Sequence, residues 1–174
     1  MTRGVNMPEK KHTSDELRGA SNHLWYEMGM FQGLVLGMGS GIAGERNVIS
    51  NSLVESFAIH VRVLIHFFYT DIPPNDDVLA VHFFQESEDW KKHRPLETEI
   101  LKVAKTRADK EVAHLTYLRL KVAPEKKTWN FKDIFNDLQR VLDKFIELVP
   151  RDNMGDMWDD TIRALNGDSE AADD

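Results

Sequence analysis

Residues 130–150 read NFKDIFNDLQRVLDKFIELVP. Phe131, Ile134, Phe135, Leu138, Val141, Leu142, Phe145 and Ile146 recur at steps of one, three and four, which gathers them on one face of an α-helix. Polar side chains fill the other face, and Pro150 has no amide hydrogen with which to continue the ladder. The stretch predicts one amphipathic helix from about Asn130 to Val149, whose apolar stripe must be buried against other elements.

The flanking sequence supplies those elements. Pro124 closes the preceding loop, and a helix is expected from Pro95, a good first-turn residue, to about Leu120. Another is expected over about 46–69, with Leu53, Val54, Phe57, Ala58, Val61, Leu64, Ile65 and Phe68 as its main stripe. Ile59, Val63 and Phe67 widen that surface, as in a helix that is central or at a subunit interface. Thr70 to Asp77 holds Pro73, Pro74 and Asn75 and predicts a turn, followed by a short helix from Asp77 to Phe84. Thr13-Ser14-Asp15-Glu16 offers an N-cap and an acidic first turn. Leu17, Ala20, Leu24, Met28, Phe31 and Val35 then predict a helix over about 14–36, broken by Gly37 to Gly44. No segment reads convincingly as a strand. The expected fold is all-α, a four-helix bundle with an additional short helix and an acidic C-terminal tail. Residues 1–12 are expected as a disordered lead-in, 13–150 as the bundle and 151–174 as the tail, with one weak helix around Met157 to Leu165.

The chain has 174 residues, a formal net charge of −7 and no cysteine. That composition suits one domain and excludes a disulfide framework, a thiolate zinc site, an iron–sulfur cluster and a cysteine nucleophile. The N-terminal residues lack the apolar run of a signal peptide. Met28 to Gly44 is charge-free but holds six of the ten glycines, a poor membrane span. A cytoplasmic protein with no membrane partner is expected. Charge is uneven: residues 91–127 hold eleven Lys and Arg against five acids, and residues 151–174 hold eight acids against two arginines. The first region is the one that could attract a polyanion, or it is simply a solvated basic face.

On a helical wheel, Ile100, Ala104, Ala108, Leu115 and Leu118 define the expected inward face of the 95–120 helix. Arg107, Glu111 and His114 fall on or beside that face, while Lys102 and Asp109 fall opposite. Charge at a buried position requires pairing. One reading is an i,i+4 ion pair between Arg107 and Glu111, with His114 satisfied nearby. The other is a ligand site in a cleft or across a dimer seam. On the second helix His60 is expected as a satisfied core histidine. Glu55 and Arg62 lie on another face of that helix, where they orient the trio or form a surface pair.

Arg107 and His114, with six residues between them in Arg-Ala-Asp-Lys-Glu-Val-Ala-His, resemble the Arg–His signature of the HEPN superfamily. These are small all-helical bundles common in bacterial toxin and antiviral systems. The resemblance implies a metal-independent ribonuclease in which two subunits pair their motifs across one composite site. Arg107 would hold the scissile phosphate, and His114 would act as general acid or base during attack by a ribose 2′-hydroxyl, with Glu111 positioning them. It also implies a homodimer, an RNA substrate, an antitoxin or other protein partner, and no cofactor. Ala108 departs from the pattern, since a polar residue often follows the Arg. Parts of the second and third helices, around Glu55 to Arg62 and Lys110 to Tyr117, are also similar to uncharacterised bacterial helical proteins.

Three further patterns carry less. Glu111 and His114 match the Glu-x-x-His spacing of di-iron bundles, but the chain holds no second copy, so no metal site is expected. Gly39 to Gly44 matches G-x-G-x-x-G yet precedes a long amphipathic helix, not a second parallel strand. Gly29, Gly33 and Gly37 are expected to let a neighbouring helix approach closely, and Trp25 is expected in the core. The competing class is a non-catalytic helical interaction module in which Arg107, Glu111 and His114 form a buried polar cluster.

Overall fold

The computed structural model describes residues 12–39, 48–72, 76–112, 117 and 128–166. The long helices are α1 (Ser14–Gly39), α2 (Val48–Tyr69) and α5 (Phe131–Leu148). Shorter ones are α3 (Ser87–His93), α4 (Glu99–Arg107) and α6 (Asp159–Asn166). Among the described residues there is no strand, and the fold is all-α. The expected four long helices are described as three. Of the expected 95–120 helix, the described residues show α4 and a π-helical turn at Ala108–Val112, and its part after Val112 lies, apart from residue 117, outside them. Residues 1–11 of the expected lead-in, most of the glycine break, residues 113–116 with His114, residues 118–127 and the last eight residues lie outside the described set.

Each long helix starts and stops for a local reason. Thr13 caps α1 in a capping box: its hydroxyl accepts from the Glu16 amide at 3.2 Å, and the Glu16 carboxylate accepts the Thr13 amide at 2.8 Å. Asn130 caps α5 by accepting from the Asp133 amide at 3.3 Å, and Pro150 follows its end. At the end of α2 the Phe68 carbonyl would lack a helical partner. It accepts instead from the Trp90 indole at 2.9 Å and from Arg94 at 3.2 Å, and Arg94 also grips Asp71 with two hydrogen bonds.

The core has two aromatic centres. Phe31 of α1 stacks on Phe57 of α2 and on Phe135 of α5, and Phe57 also meets Trp129 and Phe131 edge-on. At the other end of α5, Phe145 lies 5.5–5.9 Å from the rings of Phe67, Phe68, Phe83, Phe84 and Trp90. Most of these pairs have the edge-to-face tilt that aromatic quadrupoles favour. Helix α2 is long and apolar enough by composition to cross a bilayer, but Phe57, Ala58, Val61, Leu64, Ile65 and Phe68 are fully buried in this core.

Several local expectations change. The short helix after the Pro turn is a 3-10 turn at Ala80–Phe83, and α3 was not foreseen. Helix α4 begins at Glu99, capped by Thr98, rather than at Pro95. Its inward residues are Leu101, Ala104 and Ala108, whereas Ile100 is 37% exposed, because the buried face is centred one position later than the wheel placed it. Trp25 is 38% exposed, lying beside the core face of α1 rather than on it. Gly29 and Gly33 lie on the outer side of α1, and a Cβ built at either, or at Gly37, meets nothing within 4 Å; no described helix packs closely there. Residues 151–158, expected within the tail, pack onto α1: Met154 and Trp158 are buried, and Trp158 donates to the Ser21 carbonyl at 2.9 Å.

Candidate functional site

Helix α4 has apolar residues on its inner face and two polar flanks. On one flank Arg107 is held from three directions. Its Nε and Nη2 each donate at 3.0 Å to a different oxygen of Glu111, and Nη1 donates to the Thr128 carbonyl at 2.9 Å. Its Cζ lies 4.4 Å from the centroid of the Trp129 ring. The two side chains are only 17% and 18% exposed. A two-pronged guanidinium–carboxylate pair fixes orientation as well as supplying charge-assisted hydrogen bonds, and the indole face adds a cation–π contact. The i,i+4 pairing expected from the sequence is present. Thr128 and Trp129 were not foreseen, since they arrive from the segment leading into α5.

The backbone between Arg107 and Glu111 is not ordinary α-helix. The π-helical turn at Ala108–Val112 begins where α4 ends. Such insertions change the register of all that follows and are frequent at functional sites. The one-position shift of the buried face, from Ile100 to Leu101, moves Asp109, which the wheel placed among solvated charges, to the flank of the helix. Its half-buried carboxylate pairs with Arg62 of α2. Arg62 therefore neither pairs with Glu55 nor reaches Arg107. Glu55 is exposed and makes no hydrogen bond or ion pair among the described residues.

The second flank of α4, with Lys105 and Asp109, faces a cleft of about 660 Å³ between α1, α2 and the chain before Ala80. Leu24, Val63 and Phe67 line it, and its charged groups are largely paired. His66 Nε2 lies 2.7 Å from Asp77 Oδ2 and its Nδ1 3.0 Å from the Thr70 hydroxyl. Beside the cleft, His60 Nδ1 lies 2.6 Å from Glu27 Oε2, and the imidazole is mostly buried, as a satisfied core histidine should be. Among the described residues no group of three His, Asp or Glu side chains could hold a metal ion.

Next to Arg107 lies a shallow groove of about 270 Å³, lined by Ile100, Val103, Trp129 and Ile134 among others. Arg107 is thus a fixed cation at the edge of an apolar depression. Compared with family models, curated proteins and solved structures, the chain matches none.

Proposed function

We propose that the chain is a HEPN-like helical protein that cleaves RNA without a metal, as a homodimer whose two Arg107–His114 motifs meet in one site. The observation that carries this reading is the Arg107–Glu111 unit: a partly buried guanidinium, oriented by its carboxylate and Trp129, at the π turn that leads toward His114. A phosphate diester suits a planar cation with several donors. In the reaction the ribose 2′-oxygen bonds to phosphorus as its proton passes to one histidine. The P–O5′ bond breaks, and the leaving 5′-oxygen takes a proton from an acid, the partner motif's histidine in a paired site. The products are a 2′,3′-cyclic phosphate and a 5′-hydroxyl, and no oxidant or metal is required. Arg107 neutralises charge that grows on the phosphoryl oxygens. Glu111 positions Arg107 and competes with the phosphate for it, so substrate must displace part of that pairing. The cytoplasm and an antitoxin partner belong to the same proposal.

A second reading is favoured by the same pair. A guanidinium satisfied by Glu111, Thr128 and Trp129 serves equally as a structural tie between α4 and the start of α5, in a non-catalytic interaction module. The test is cleavage of mixed single-stranded RNAs by pure protein in EDTA, beside His114→Ala and Arg107→Ala variants checked by circular dichroism. The ribonuclease reading expects cleavage by the parent and loss in both folded variants. The structural reading expects no cleavage by any of them. In that case Arg107→Ala lowers unfolding free energy by about 2–4 kcal/mol, because a mostly buried Glu111 is left unpaired.

A further inference from the structure

The flank of α4 that carries Arg107 has an anomaly that the ribonuclease reading does not use. Ile100 and Val103 are 37% and 54% exposed, and they share one shallow groove with Ile134 and the Trp129 indole. On a short surface helix these positions would ordinarily be polar, like Lys102 and Thr106 nearby. Single exposed apolar residues need no explanation. Two of them converging on one depression, with a fixed guanidinium in its wall, are a different matter.

The size and charge of the groove restrict its occupant. At about 270 Å³ it falls just below the range of drug-sized pockets, which suits one planar ring system and not a protein segment or a duplex. Its walls offer aliphatic surface and an aromatic edge. Its polar side chains are already engaged: Asn130 caps α5 and donates to Asp133 at 2.6 Å, and Glu99 accepts from Lys102 at 2.7 Å. It is therefore built for contact with a ring face rather than for reading hydrogen-bond edges. Arg107 is the cation in its wall, and Glu99, its other charged lining residue, pairs with Lys102. A flat ring with apolar faces, linked through a ribose to a phosphate, is a nucleotide unit.

Resting on the ribonuclease reading, we infer that this groove is the seat of one unpaired nucleobase adjacent to the phosphate held by Arg107, taken with little preference among the four bases. Ring stacking against apolar and aromatic side chains tolerates any base and is lost when bases are locked in a duplex.

The experiment is equilibrium binding, in EDTA, of a fluorescein-labelled ten-nucleotide uridine strand and of an abasic ribose-phosphate strand of equal length. The proteins carry His114→Ala to prevent cleavage, with or without the double substitution Ile100→Ser, Val103→Ser. Both serines replace exposed side chains, and circular dichroism confirms that the fold is kept. The expected result is that the double substitution weakens the uridine strand by about tenfold, as for one stacked base, and leaves the abasic strand unchanged. Equal binding of the uridine strand with and without the serines overturns the groove assignment, while cleavage by the parent protein still upholds the ribonuclease reading. Equal weakening of both strands also overturns it, because the groove then contributes nothing specific to bases. If the parent protein neither cleaves RNA nor binds either strand, the ribonuclease reading falls, and the groove assignment falls with it.

Discussion

The Tyr69 hydroxyl is the one buried side-chain polar atom among the described residues with no hydrogen-bond partner. Burial, with Glu97 adding to it, pushes its pKa up to about 12, against the lowering influence of Arg140 and Arg94. Unfolded, the phenol ionises near its ordinary value of 10.0, so between pH 10 and about 12 the folded state holds a proton that the unfolded state has lost. Stability contributed by the protonated Tyr69 is complete below pH 10 and is lost as pH rises through that window. Tyr69→Phe should be as stable as the parent at pH 7, or slightly more so, since it removes an unsatisfied buried group. The parent's stability should fall more steeply than the variant's between pH 10 and 12, as read from urea unfolding midpoints. Nothing in the residue order reveals that this hydroxyl is orphaned. By contrast, the Arg107–Glu111 pair was legible, because four-residue spacing alone puts two helical side chains together. Their partners Thr128 and Trp129 are some twenty residues further along the chain, and no local pattern joins them.

At the scale of elements, Gly155 shows how a short segment is held. Its amide donates to the Ser21 hydroxyl at 2.8 Å, and a Cβ built on it would collide with Asn22 Oδ1 and stand 3.0 Å from the Arg18 carbonyl. Gly155→Ala should cost about 1–3 kcal/mol, by thermal or urea unfolding, as the 151–158 segment is pushed off α1. The loss should shrink in an Asn22→Ala background, where only the contact with the Arg18 backbone remains. Helices α1, α2 and α5 were legible because each carries many apolar residues at helical spacing. Helix α3 was not: of its seven residues only Trp90 is buried, so no stripe forms. The start of α4 was misplaced because Thr98, rather than Pro95, satisfies the first free amides. The π turn was invisible because periodicity assumes that every turn has the same number of residues. Asp109 was placed on the wrong side for a different reason: the wheel was centred on Ile100, whereas the buried face is centred on Leu101.

For the whole molecule, α5 unites the core, and Phe145 is where its neighbours converge. The ring touches aromatic residues from α2, the 3-10 turn at Ala80–Phe83 and α3. Phe145→Ala should lower unfolding free energy by about 3–5 kcal/mol, measured by chemical denaturation, because the cavity opens among several elements that cannot all close on it. Such a loss is a large share of the stability of an ordinary domain. A different consequence follows from the tie between Trp158 and Ser21, which spans 137 positions of the chain. During synthesis α1 emerges before the indole that covers part of its inner side, and α2 to α5 all emerge in between. Over that interval this side of α1 has no final cover and stays open to chaperones.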